Sequence, residues 1–159
     1  MKLVGIIDED FVNYKKPSMV LEFPYCHNFK CDRDCGMQVC QNNKLASAPK
    51  IDISPDSICV RYKNNPITQA IVCQGLEPFD SLSDLYEFIE QFRDMCDDDI
   101  VIYTGYKEEE IYPYIEILKE RYKNIIIKFG RFKPNSKQYY DDILGVKLAS
   151  TNQYARKIC

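Results

Sequence analysis

FPYCHNFKCDRDCGMQVCQN, residues 23–42, gathers Cys26, Cys31, Cys35 and Cys40 on one short polar segment of a chain that holds eight cysteines in all. The apolar stretch before it, Met19-Val20-Leu21-Glu22-Phe23, reads as a β-strand stopped by Pro24. Clustered cysteines without an export pattern bind metal more often than they form disulfides. Thiolate is a soft ligand suited to zinc or to iron–sulfur clusters. Four-cysteine zinc sites usually draw on two close pairs set far apart in sequence. Here all the cysteines of the group share one loop, the arrangement of a cluster wrapped by a single segment.

Outward from that loop, apolar runs alternate with amphipathic segments. Ser54-Pro55 is a helix start, a cap residue followed by proline at the first helical position. It predicts a short helix through Ile58 and Tyr62 that ends near Asn64-Asn65-Pro66. Ile67 to Cys73 predicts a buried strand. Ser81 caps a helix whose apolar positions, Leu82, Leu85, Phe88, Ile89, Phe92 and Met95, keep the helical period, with Phe88 and Phe92 as packing residues. Ile100 to Tyr103 is a further strand, turned by Thr104-Gly105. Ile111, Ile115, Leu118 and Tyr122 share one face of a third helix, where Pro113 is tolerated only in the first turn. Ile125-Ile126-Ile127, closed by Gly130, and residues 145–149 predict two more strands.

This alternation indicates βα units and a parallel sheet. About four to five strands are too few for a closed eight-stranded barrel. The expected fold class is α/β, a partial (open) β/α barrel with a mainly parallel sheet, in a single domain over residues 1–159. Ligands gather at the C-terminal ends of such strands. The cysteine loop, Gly75-Leu76-Glu77-Pro78 and Tyr103-Thr104-Gly105 all fall on that rim.

A hydrophobic fraction of 45% over 159 residues suffices for a core of ordinary size. A net charge of −3 gives no basic field toward nucleic acid. Lys128, Arg131 and Lys133 around Phe129 and Phe132 belong to no wider basic stripe. Met1-Lys2-Leu3-Val4-Gly5 runs into Asp8-Glu9-Asp10 without a leader pattern, and no apolar stretch is long enough for a bilayer. The expectation is a cytoplasmic chain with no membrane or nucleic-acid partner. Cys59, Cys73 and Cys96 lie in apolar-patterned segments and read as small buried hydrophobes, and Cys159 is the terminal residue. His27, beside Cys26, reads as an exposed loop histidine, since the cysteines already suffice as ligands.

If three cysteines hold a cubane cluster, one iron keeps an open position that a molecule with amino and carboxylate groups can chelate. The residues that carry a family likeness are Val39-Cys40-Gln41-Asn42, Gly75-Leu76-Glu77-Pro78, Tyr103-Thr104-Gly105-Tyr106, Gly130-Arg131-Phe132 and Ser150-Thr151-Asn152-Gln153. In this order they make the chain resemble the radical S-adenosylmethionine superfamily, and within it the activating proteins of anaerobic ribonucleotide reductase. The resemblance implies a radical SAM-like fold, a [4Fe–4S] cluster and S-adenosyl-L-methionine as cofactors, and reductive cleavage of the latter. It implies hydrogen abstraction from a glycine of a glycyl-radical enzyme, an anaerobic ribonucleotide reductase large subunit, with a flavodoxin-like or other reductant as electron donor. It assigns the cofactor to Val39, Asn42, Gly75, Leu76, Glu77, Pro78, Thr104, Ser150 and Asn152, with Val39 against the adenine and Gly75 and Glu77 on the methionyl amine.

The sequence departs from the family's CxxxCxxC spacing. Three residues separate Cys31 from Cys35 and four separate Cys35 from Cys40. Cys26, Cys31 and Cys40 are the favoured ligands, because Cys26 follows the strand directly and Asp32-Arg33-Asp34-Cys35-Gly36 looks like a polar insertion; Cys35 is the alternative ligand. Leu76 replaces the second glycine of the family's GGEP. Lys128 stands where the activators often carry an acidic residue, so the resemblance assigns it no role. Two other readings remain open at this point: a small radical S-adenosylmethionine enzyme acting on a peptide or metabolite, and a zinc-binding interaction module.

Overall fold

Strands that are apolar on both faces need cover on both, and the fold supplies it. In a computed structural model, which describes residues 1–159 throughout, β1 (Lys2–Leu3) leads into β2 (Gly5–Asp10) and β3 (Ser18–Phe23). The cysteine loop contains a short helix, α1 (Lys30–Cys35), and β4 (Ile51–Asp52) pairs back onto β1. Then follow α2 (Pro55–Lys63), β5 (Ala70–Gly75), α3 (Leu82–Met95), β6 (Asp99–Tyr103), α4 (Tyr112–Arg121) and β7 (Ile125–Phe129). A hairpin of β8 (Tyr139–Asp141) and β9 (Val146–Leu148) precedes the last strand, β10 (Tyr154–Lys157).

The main sheet has six strands in the order β10-β7-β6-β5-β3-β2. Its inner four run parallel, and β2 and β10 pair antiparallel at the two edges. Alternate residues feed two cores. Met19, Leu21, Phe23, Ile71, Cys73, Ile100, Ile102, Ile125 and Ile127 pack with Ile58, Phe88, Phe92 and Ile115 from the helices. Val20, Ala70, Val72, Val101 and Ile126 face the other way, against Leu144, Leu148 and Tyr14. Helices cover one face and the β8–β9 hairpin the other, which is why the strands read as unbroken apolar runs.

Local signals set the helix ends. The Ser54 hydroxyl accepts from the Ser57 backbone N–H at 3.1 Å, with Pro55 at the first helical position. Pro113 lies in the first turn of α4, where its missing N–H costs nothing.

Four expectations shift. β5 starts at Ala70 rather than Ile67, because Pro66 lies within a turn in which the Asn65 side chain accepts from the Ile67 N–H at 2.9 Å and Ile67 is left exposed. Ser81 precedes α3, yet its hydroxyl is buried without a partner; the helix is entered through a 3-10 turn, Pro78–Ser81, capped by the Glu77 carboxylate. Residues 146–148 do form a strand, but in the hairpin and not in the main sheet. The edge strands escape a hydrophobic reading: β2 carries Asp8-Glu9-Asp10, and β10 buries only Ala155.

Removing a large ring from the helix-covered core leaves a cavity. Phe92→Ala lowers the unfolding free energy by about 3–5 kcal/mol, whereas Ile67→Ala, at an exposed site, changes it by less than about 0.5 kcal/mol; urea titration of both variants checks the contrast.

Candidate functional site

The parallel register decides which loops meet. Phe23 at the end of β3 pairs with Gly75 at the end of β5. The pairing continues past both strands, as Leu76 N–H donates to the Phe23 carbonyl at 3.1 Å and Glu77 N–H to the Tyr25 carbonyl at 2.7 Å. Gly75 has φ +97°, and a Cβ there would lie 2.7 Å from the Phe23 nitrogen, so no other residue fits. The cysteine loop and residues 75–78 therefore leave the sheet side by side.

Polar contacts then fold the cysteine loop over this edge. Asn28 and Phe29 take left-handed backbone conformations that turn the chain into α1, and Gly36 ends the helix in the same conformation. Asp32 Oδ1 accepts from the N–H groups of Val39 and Cys40, at 2.7 and 2.6 Å, which draws Cys40 back toward the sheet. Asn42 Nδ2 donates to the Gly75 carbonyl at 2.9 Å, tying the two loops together.

A buried ion pair reinforces that junction. Lys30 Nζ stands 2.7 Å from Asp80 Oδ2, with side chains only 5% and 2% exposed. The same carboxylate accepts from the Tyr106 hydroxyl and the His27 N–H, both at 2.6 Å. Arg131 clamps Glu110 with two N–H donors, at 2.9 and 2.7 Å, and its Nε lies 2.8 Å from Asp34, which fastens α1 to the segment after β7.

These loops enclose a cavity of about 350 Å³ at the C-terminal edge of the parallel strands. Cys26, Cys31 and Cys40 line it, together with Glu77, Thr104 and Lys128; Cys35 does not. Burial pushes the three lining thiols up from the usual cysteine value, while a backbone N–H near each, from Lys30, Phe132 and Asn42 respectively, works the other way. Cys40 raises Cys31 and is itself raised by Cys26 through their mutual negative charge.

Glu77 is 1% exposed. The Thr104 hydroxyl donates to its Oε1 at 2.7 Å and the Gly105 N–H to its Oε2 at 2.9 Å. Burial nevertheless outweighs these donors and Lys30, and pushes the carboxyl up to about 7. Burial likewise pulls Lys128 down to about 8, against the opposing pull of Cys31 and Glu77.

The donor set suits a cluster. No three of the His, Cys, Asp and Glu side chains converge on one point as a single ion requires. Three soft thiols, Cys26, Cys31 and Cys40, do line one cavity, and thiolates of a single segment are the donors that hold an iron–sulfur cluster.

The sequence-derived site residues divide. Asn42, Gly75, Leu76, Glu77 and Thr104 line the cavity with the three cysteines. Pro78 sits behind it and opens the 3-10 turn. Val39, whose N–H is held by Asp32, is outside the lining. Ser150 is fully buried and hydrogen-bonded to Gln153 and Lys133, and Asn152 donates to the Arg131 carbonyl, so neither reaches the cavity; Ala149 and Gln153 line it from the same segment. His27 leaves its ring 75% exposed. Lys128 and Arg131 are buried and form no surface patch. Tyr103, placed on the rim by the sequence, and Lys128, to which the sequence assigned no role, both line the cavity, as do Lys30 and the loop residues Val12 and Asn13, which had not stood out. A lysine inside the apolar run of β7 was the one available signal.

A model of the 4Fe-4S single cluster domain family matches residues 23–153. The chain belongs to that family. The match begins at the last residue of β3 and ends at Gln153, so it takes in the cysteine loop and the C-terminal ends of β5, β6 and β7, while Val12 and Asn13 lie before it. Searches of curated proteins and of solved structures returned no match. This 4Fe-4S single cluster domain contains no helix long and apolar enough to cross a membrane.

Two outcomes test the site. Asp32→Ala frees the Val39–Cys40 turn, lowers stability by about 1.5–3 kcal/mol, and leaves the purified protein with substoichiometric iron; full iron content removes Asp32 from the loop's architecture. In the metal-free protein, Glu77 keeps its proton from its ordinary value of 4.5 up to about 7 while the unfolded chain loses it, so stability falls across that window. Glu77→Gln flattens that slope, which urea unfolding between pH 4.5 and pH 7 measures.

Proposed function

We propose that this 4Fe-4S domain is a radical S-adenosylmethionine activase. One observation supports the reading above others: three thiols of a single loop share a cavity with Gly75, Glu77 and Thr104, while Cys35 lies outside it. Three ligands leave one corner of a cubane without a protein sulfur, and the neighbouring loop brings the carboxylate that suits an ammonium group.

Held by Cys26, Cys31 and Cys40, a reduced [4Fe–4S] cluster would supply the one electron needed for reductive cleavage of S-adenosylmethionine, whose products are methionine and, once a hydrogen atom is taken from a substrate, 5′-deoxyadenosine. The chain's own residues bind, orient and exclude water. Cys26, Cys31 and Cys40 give up their protons to ligate iron. Thr104 and Gly105 fix the Glu77 carboxylate so that it accepts from the methionyl ammonium, which also draws its pKa down. Asn42 holds the Gly75 carbonyl and keeps the two loops in register. Leu76, Phe132, Val146 and Leu148 give the walls an apolar surface.

A cavity of about 350 Å³ is at the small end of ligand sites, which favours a hydrogen donor presented from outside. The resemblance supplies its identity: a glycine of a glycyl-radical enzyme, an anaerobic ribonucleotide reductase large subunit, with electrons from a flavodoxin-like or other reductant.

Anaerobic reconstitution, reduction and addition of S-adenosylmethionine test the proposal. The wild-type protein and Cys35→Ala both form 5′-deoxyadenosine, and Cys40→Ala forms none because it lacks a ligand. A fully loaded cluster that yields no 5′-deoxyadenosine overturns the reading, and loss of the cluster in Cys35→Ala moves that residue into the ligand set.

A further inference from the structure

The last stretch of the chain reverses the sign of the rest. Residues 125–159 hold seven basic and two acidic side chains, although the whole chain carries a net charge of −3. Asp141, one of the two acids, is buried and accepts from the N–H groups of Ile143, Leu144 and Ala155. Arg131 and Arg156 are taken up by Glu110 and Glu108. Lys133, Lys137 and Lys147 are exposed and form no ion pair.

The β2–β3 loop meets this basic stretch beside the cavity, and its backbone is fixed by buried anchors. Asp10 Oδ2 accepts from the N–H groups of Val12 and Asn13, at 3.2 and 2.9 Å, and the Tyr103 hydroxyl donates to the Asn13 carbonyl at 2.5 Å. The Lys15 N–H donates to the Leu144 carbonyl at 2.7 Å, which seats the loop on the hairpin. Yet Phe11 and Val12 at the loop's tip are 63% and 73% exposed. Apolar side chains on a fixed backbone lose little freedom when a partner covers them. Lys15 is exposed and unpaired as well. A Cβ at Gly145 would lie 2.6 Å from Lys15 Cβ and 3.5 Å from the Tyr140 hydroxyl, so these residues share one surface. Tyr140, itself 57% exposed, stands directly opposite Lys147 across the hairpin. Val12, Asn13 and Lys147 also line the cavity, which joins the patch to its opening.

We propose that this surface docks an acidic segment of a partner polypeptide, one that brings a glycine to the cavity with carboxylate and apolar side chains beside it. The carboxylates meet Lys15 and Lys147, and an aromatic or aliphatic side chain packs on Phe11 and Val12. This rests on the activase reading and gives the partner of that reading a chemistry. Charge complementarity chooses the occupant: a chain of net negative charge receives an acidic partner only through a locally basic face. A nucleic-acid strand would call for a basic track with stacking rings along it, whereas here two cations flank an apolar tip.

Fluorescence anisotropy tests the surface with two labelled peptides of about 15 residues that share a central glycine and a phenylalanine, one carrying glutamates and the other lysines. The wild-type protein with its cluster binds the glutamate peptide about tenfold more tightly, and the gap narrows as salt rises. Lys15→Glu/Lys147→Glu reverses the preference, whereas Lys63→Glu, at an exposed lysine of α2, keeps it. Phe11→Ser/Val12→Ser weakens binding of both peptides and leaves the preference unchanged. Wild-type protein that binds the two peptides alike, or binds neither, overturns the surface, as does a preference that survives Lys15→Glu/Lys147→Glu. Tighter binding of a labelled single-stranded oligodeoxynucleotide than of the glutamate peptide assigns the face to nucleic acid and overturns it too. A loaded cluster that forms no 5′-deoxyadenosine, with the peptide preference intact, overturns the activase reading and leaves the docking surface standing.

Discussion

The parallel pairing of β3 with β5 fixes everything at the rim. A shift of one residue would turn every side chain of β5 to the opposite face, exchanging Ile71 and Cys73 with Ala70 and Val72 between the two cores. With the observed register, Phe23 meets Gly75, and the segments that follow travel together for two more hydrogen bonds. Cys26 and Glu77 become neighbours by that geometry before any ligand is considered. The absence of a side chain at Gly75 makes the approach possible, since backbone atoms of β3 occupy the space a Cβ would need.

Around that junction the protein concentrates the charges it keeps away from water. Asp80 is fully satisfied by Lys30, Tyr106 and His27 and serves as a knot joining three loops. Glu77 and Lys128 are different. Glu77 is crowded with donors and still resists ionisation, and Lys128 has a carbonyl and a ring where an anion belongs. Local rules of stability are broken here and obeyed elsewhere, the pattern expected where binding sets the requirement.

Much of this was written in the sequence because the relevant forces are local. Ser54-Pro55 begins α2 by a hydrogen bond three residues long, and the apolar period of residues 82–95 survives as the buried face of α3. The cysteine loop and the 75–78 loop were legible as a pair, since each follows an apolar run and strand ends of a parallel sheet share a rim. What was not legible depends on distant partners. The hold of Asp32 on Val39 and Cys40 has no sequence signature, and of these two only Cys40 lines the cavity. Ser150 and Asn152 are taken up by their own turn and by Arg131, so the cavity wall from that segment is Ala149 and Gln153 instead. The edge strands were invisible because half of each faces water and neither shows an unbroken apolar run.

Electron paramagnetic resonance of the reduced, reconstituted protein, recorded with and without S-adenosylmethionine, is the most direct test of the proposal that one corner of the cluster has no protein ligand. A cluster held by Cys26, Cys31 and Cys40 alone has one iron free to take the ligand's amino and carboxylate groups, and its g-values shift when the ligand is added. A signal that stays the same at saturating ligand, from a fully loaded cluster, would mean that a fourth side chain already fills that corner.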